Sequence, residues 1–345
     1  MANTNWLGPV LETRAALAAR LVDGMFRVMR WRRQQRLIAA DPVALEPRIE
    51  PRARALGFAH VYVADETGET QHWLRSPAYA AEAAKRDPID ICHLAIDQFH
   101  AFVEHGDRAA RDGFVATAQT LLDMGRRVTL AERLCFVMPH FDQVEGYARH
   151  NKPWANAMVQ GWIGAVFARA YQLTGDGRFA EAASLAIGPC FVDIARGGVR
   201  DHERTGAVFY EKYAFAGQSR HVLNGFMASL LGIWDVARGL GDPGAHEAFA
   251  EGVATLSDRV LATYDNGYSS LYDQTDDKRA TPRCAFYTWV HARQLAALAR
   301  ITGDPRLLRW ANRWREYSQA TPHRVRTTIA CWSYRARNLP KYVFG

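Results

Sequence analysis

Lysine is nearly missing from this chain: of 43 basic residues in 345, only five are Lys, and the net charge is +7. Arginine forks pair bidentately with carboxylates, so the basic excess suits an anionic substrate as well as a solvated surface. A nucleic-acid partner is not supported, because no zinc spacing, basic zipper or helix-turn-helix signature accompanies the charge. Cysteine is also sparse. Cys92, Cys135, Cys190, Cys284 and Cys331 are scattered and odd in number, with no CxxC. That excludes a disulfide framework and a zinc ribbon, and it fits a reducing compartment. No run approaches the 18 uncharged apolar residues of a membrane span. The first twenty residues lack the basic start and apolar stretch of a signal peptide. A cytoplasmic protein is expected. GxGxxG, P-loop and GxSxG patterns are missing too, and Asp201-His202-Glu203 is too contiguous for one cage, so neither a cofactor nor a metal is expected.

What is abundant is apolar and aromatic. Hydrophobic residues make up 48%, with 10 Trp, 13 Tyr and 16 Phe, enough for a large core and for a cleft that stacks on sugar rings. A Gly-Asp pair recurs at 106, 175, 241 and 303, at intervals of 69, 66 and 62 residues. Each pair separates two stretches with the three-to-four-residue apolar spacing of helices. Gly can end a helix in the left-handed conformation, and Asp can cap the next one. Four αα-hairpins follow. The first helix of the last three is apolar nearly all round and rich in Gly and Ala, whereas its partner carries charge on one side. Inner helices buried on both faces and outer helices half wet describe a mainly α (α/α) toroid or incomplete barrel. Three longer inserts, 127–153, 197–219 and 264–285, lie between hairpins and converge at the end opposite the Gly-Asp turns, where a site belongs. Residues 1–75 read as an extension holding an Arg-rich amphipathic helix (8–39) and a hairpin (58–74), and 76–345 as the catalytic domain. The Arg-rich helix could pack on the toroid, dimerise or rest on an anionic membrane surface.

Residues 209–235, FYEKYAFAGQSRHVLNGFMASLLGIWD, carry the most information. Tyrosines and charges run through a polar turn into an apolar helix. This stretch resembles the YEEYP, VLNGF and SL.GL.D segment of the D-glucuronyl C5-epimerases. Four further stretches match that family in order: Pro88-Ile89; 153–161 with Arg169-Ala170-Tyr171; Tyr272-Asp273; and Tyr287 with His291. Together they span about residues 88–320. The resemblance implies a toroidal helical fold, usually a homodimer, that inverts C5 of D-glucuronate to L-iduronate within a glycan without an organic cofactor. It also implies that the family's catalytic tyrosines fall on Tyr213, Tyr272 and Tyr287. The chain departs from the pattern in three places. Lys212 stands where the family has a glutamate; Gln274 and Thr275 follow Asp273 where an Arg is usual; and Cys284-Ala285-Phe286 replaces RWD.

Epimerisation at C5 needs a base on one ring face, an acid on the other, and positive charge or donors for the enolate-like intermediate. Tyrosine serves both proton roles if a cation lies nearby, and Lys212 is the candidate. A strand over 208–213 would place Glu211 on the same face as Tyr213, making it a fourth catalytic candidate. Tyr287 and His291, four apart, share a helix face. Substrate-binding candidates are Lys212, His291, Asn224, Gln160, His140 and Arg204, with Arg200 a further possible carboxylate partner. Two other readings stay open: a polysaccharide lyase or glycoside hydrolase on the same toroid, the hydrolase resting on Glu211 with Asp201 or Asp273; and an inactive glycan-binding protein.

Overall fold

The structure is a computed structural model and describes residues 41–43, 49–58, 88–138, 155–203, 206–214, 219–274 and 284–344. Apart from short helical turns, its described helices are α1 (Ile49–Ala55), α2 (Pro88–His105), α3 (Arg108–Met124), α4 (Ala157–Thr174), α5 (Gly177–Ala186), α6 (Leu223–Leu240), α7 (Pro243–Thr255), α8 (Cys284–Thr302), α9 (Pro305–Gln319) and α10 (Thr321–Phe344). Two short antiparallel pairs interrupt them, β1 (Arg126–Leu130) with β2 (Arg133–Val137) and β3 (Arg200–His202) with β4 (Val208–Tyr210).

The Gly-Asp repeat does what its chemistry allows. Gly106, Gly175, Gly241 and Gly303 have φ of 69°, 73°, 66° and 72°, in the left-handed region, which a Cβ disfavours. The aspartates then accept from the first turn of the following helix: Asp107 from Ala110 N (3.1 Å), Asp176 from Arg178 N (3.0 Å), Asp242 from Ala245 N (2.9 Å) and Asp304 from Arg306 N (2.8 Å). Each bond satisfies one of the donors that a helix start leaves unpaired.

The resulting hairpins, α2/α3, α4/α5, α6/α7 and α8/α9, place α2, α4, α6 and α8 side by side in that order, each backed by its own partner. This is the arc of an (α/α) toroid. The α4–α6 crossing is tight because both helices carry glycine there. A Cβ on Gly232 would stand 2.2 Å from the Gly161 carbonyl oxygen, and one on Gly161 would stand 2.8 Å from Ser229 Cα. Farther along the same crossing Arg169 pairs with Asp235 at 2.5 Å, both side chains buried. Such a pair does little for net stability, but losing one partner strands a charge, so it fixes which turn of α4 meets which turn of α6.

Phe58 packs edge-on against Phe99 at 5.1 Å, tying the end of the α1 segment to the toroid core. The expected Arg-rich helix, the rest of the 58–74 hairpin and the boundary at residue 75 lie outside the described residues. No helix among the described residues is long and apolar enough to cross a membrane.

Candidate active site

Because the Gly-Asp turns occupy the C-terminal ends of the inner helices, the N-terminal ends and the segments entering them share the opposite end. Strand β4 ends at Tyr210, whose hydroxyl donates to Ala248 O at 2.9 Å. The chain then bends, and the strand expected over 208–213 stops three residues early. Glu211 therefore does not alternate with Tyr213 across a pleat. Its carboxylate curls back into the loop and accepts from Tyr213 N (2.9 Å), Arg220 N (3.1 Å) and His221 N (2.6 Å). Burial pushes its carboxyl above the usual range, against the pull of these bonds and of His221. The expectation that Glu211 enters the cleft beside Tyr213 is thus corrected: this side chain holds the loop's backbone donors, which have no sheet partner.

His221 completes that brace. Its φ of 50° is left-handed, and its Nε2 lies 2.8 Å from Asp201 Oδ2 on β3. Burial lowers the His221 pKa, but the hydrogen bond to Asp201 and the charge of Glu211 outweigh it and hold the pKa above the ordinary value. Burial raises that of Asp201, and the bonds from His221 and Ser219 outweigh it and bring the pKa below the ordinary value. Asp201, Glu211 and His221 place one possible ligand atom each within 4.8 Å of one another. All three are already engaged with each other or with backbone amides, so they serve as a polar clasp. Sequence spacing hid this cluster, since its members come from a strand, a bend and a loop.

The bend turns Lys212 and Tyr213 toward the inner helices. Lys212 Nζ lies 3.4 Å from the Tyr272 hydroxyl and 5.3 Å from the centre of the Tyr213 ring. Tyr272 meets Tyr287 edge-on at 4.7 Å, and Tyr213, Tyr272 and Val222 form one apolar cluster with Tyr287 packed against it. Burial pulls the Lys212 pKa down, but attraction to Tyr213, Tyr272 and Tyr287 in their ionised form is greater and holds the ammonium above its usual range. Three tyrosines from three separate segments thus converge on one charge. Tyr213 and Tyr272 are buried, whereas Lys212 and Tyr287 are partly exposed.

Gly225 admits this arrangement: a Cβ there would stand 2.9 Å from Lys212 Cβ, so the first turn of α6 lies directly on the lysine stem. Its neighbour Asn224 starts the helix without capping it, since Val222 is the cap and offers no side-chain bond. Asn224 Oδ1 is buried with no partner. Leu223 N donates to Tyr272 O (3.0 Å) and Gln274 N to Arg220 O (2.8 Å), which lock the third insert to the start of α6 and the segment just before it. Asp273 pairs with Arg220 at 2.7 Å, and the Arg220 guanidinium stands 5.8 Å from the Tyr213 ring centre. Arg220 was not among the candidates, although it supplies a guanidinium beside Asp273 where the expected Arg after Asp273 is missing.

The remaining candidates are dispersed. His291 lies one turn below Tyr287, ring centres 6.3 Å apart, fully buried, with Ser270 Oγ 2.6 Å from Nδ1. Burial lowers its pKa to about 3, keeping the imidazole neutral. It supports the floor beneath Tyr287 and does not reach the partly exposed face. Gln160 is a correction: its Oε1 accepts from Met138 N (3.0 Å) and its Nε2 donates to Phe136 O and Ala186 O (2.8 Å each). The amide is fully buried and both of its N–H donors are used, so it does not face a sugar, and it pins strand β2 to α4 and α5 instead. Arg200 is likewise engaged, bidentate to Glu251 at 3.0 and 2.6 Å. His140 and Arg204 lie outside the described residues.

The model of the D-glucuronyl C5-epimerase C-terminus matches residues 135–316. An uncharacterized protein of Methanocaldococcus jannaschii is 31% identical over 170 residues, which covers 48% of this chain and 53% of that protein. The D-glucuronyl C5-epimerase of Caenorhabditis elegans is 31% identical over 180 residues, 48% of this chain and 29% of that protein. The chain therefore matches about half, or less, of the length of these relatives. Among solved structures, the unsaturated glucuronyl hydrolase of Bacillus sp. GL1 has a TM-score of 0.46 at 14% identity, covering 74% of this chain and 72% of that one. The cellobiose 2-epimerase of Spirochaeta thermophila has a TM-score of 0.46 at 16% identity, covering 72% of each chain. The family match runs from β2 through α9 and takes in Lys212 and all three tyrosines, so this chain belongs to the D-glucuronyl C5-epimerase family, through that family's C-terminal region.

Proposed function

We propose that this protein inverts C5 of D-glucuronate residues in a glycan, giving L-iduronate. The observation that carries the reading is the meeting of Tyr213, Tyr272 and Tyr287 around the Lys212 ammonium. The proton at C5 is weakly acidic because the adjacent carboxylate can take up the electron pair. One phenolate removes that proton; the C5–H electrons pass into the carboxylate as an enediolate-like intermediate; and a phenol on the opposite face delivers its own proton to C5. The base ends as a phenol and the acid as a phenolate, so the proton count is unchanged and the site is poised for the reverse reaction. Lys212 favours whichever phenolate is present and offsets the charge that builds on the substrate carboxylate. Glu211, Asp273 and Asp201, the carboxylates a hydrolase would draw on, are engaged by backbone amides, by Arg220 and by His221 respectively.

The test is incubation with a panel of uronate glycans in deuterated water. Deuterium at C5 without chain cleavage is expected, and Tyr287→Phe should lower the exchange rate by about 100-fold or more. Chain cleavage with an unsaturated product would replace the reading with a lyase, and binding with no exchange would remove enzymatic function altogether.

A further inference from the structure

His93 lies in the second turn of α2. Its imidazole rests on the Trp162 indole with ring centres 3.8 Å apart, so one inner helix supports it from another. The residue is only partly buried, like Lys212 and Tyr287. Its Nε2 is nevertheless shut away from solvent and has no hydrogen-bond partner, as is Nε1 of Trp162 beside it. A buried ring nitrogen left unpaired forfeits its hydration without recompense, so an orphan of this kind calls for a missing partner. Burial holds the imidazole neutral, and the nearby Lys212 ammonium opposes its protonation further. That interaction places His93 in the electrostatic reach of the same lysine that gathers the three phenols.

We propose that His93 is a further substrate-contacting residue of this cleft, its Nε2 pairing with a hydroxyl group of the uronate ring. The inference rests on the proposed epimerase reading and adds a contact from α2, the first inner helix, to groups otherwise drawn from the second and third inserts and α8. A hydroxyl fits better than the carboxylate. In a neutral imidazole Nε2 is either a donor or an acceptor according to the tautomer, and a hydroxyl answers either, whereas the substrate's negative charge is better met by Lys212. Trp162 beneath fixes the ring plane, so the contact would select for the orientation of that hydroxyl.

The experiment uses the full chain and the uronate glycan that shows wild-type C5 exchange. His93→Phe keeps an aromatic ring against Trp162 and removes the nitrogen. It should raise KM about tenfold while kcat for exchange changes less than about threefold, and His93→Gln, which restores a hydrogen-bonding group, should recover most of the loss. A 15N-labelled wild-type protein should show the His93 Nε2 signal moving when the glycan is added. Unchanged KM in His93→Phe, or loss of kcat alone, would overturn the assignment; should that variant fail to fold, an Nε2 signal indifferent to the glycan would overturn it equally. Absence of exchange in the wild type would instead remove the epimerase reading on which the contact depends.

Discussion

Lys212 is the residue that most alters the expected chemistry, because it puts an ammonium where the family pattern has a carboxylate. Its surroundings explain why the exchange is tolerable: three phenols whose ionised forms attract it, and a glycine on α6 that leaves room for its stem. Lys212→Met should therefore keep the fold, since no buried charge is left without a counter-ion, while C5 exchange drops by about 100-fold or more; circular dichroism and the deuterium assay read the two effects separately. The clasp beside it has its own pH signature. The His221 pKa is raised above its unfolded 6.5, so the stability it contributes is complete below that pH and is lost as pH rises through the higher folded value. His221→Asn, which suits the left-handed backbone but is too short for Asp201, should lower Tm more at pH 5.5 than at pH 8.5; an equal drop at both would show that the ion pair contributes nothing. The tyrosines were legible in the sequence because their motifs are contiguous. Glu211 misled because its neighbours suggested a strand, and a side chain that folds back onto three amides of its own loop leaves no periodic trace.

At the level of elements, the Gly-Asp pairs were the most reliable text in the chain. A left-handed Gly followed by a capping Asp is a local device, set by φ and by one side-chain bond, and all four pairs behave alike. Asp242→Ala should cost about 1 kcal/mol in chemical denaturation, because Ala245 N loses its acceptor while Pro243 still favours the first turn. A loss near zero would mean that helix packing alone sets the start of α7. The inserts were less readable. Their lengths announced loops, yet the bonds from Leu223 N to Tyr272 O and from Gln274 N to Arg220 O join the third insert to the entry of α6, some fifty residues earlier, and no local pattern encodes that.

Across the whole molecule, the arc depends on inner helices that approach closely, as α4 and α6 do at Gly161 and Gly232. Gly232→Ala would drive a methyl into the Gly161 carbonyl region, where a backbone atom cannot step aside. A loss of roughly 1–3 kcal/mol is expected from thermal or urea unfolding, together with reduced exchange activity, since α6 carries the turn against Lys212. A stable, fully active variant would show that the crossing relaxes without disturbing the site. By itself the sequence determined the helices, their pairing into hairpins, the end of the toroid where inserts gather and the family to which the motifs point. Those properties follow from residue spacing, caps and contiguous motifs, all of which act within a few positions along the chain. Only the tertiary structure decided which side chains share the cleft: it drew in His93 and Arg220, turned Glu211 into the loop and committed Gln160 to backbone carbonyls. These outcomes depend on where a loop returns after leaving its helix, and that path is set by packing between distant segments.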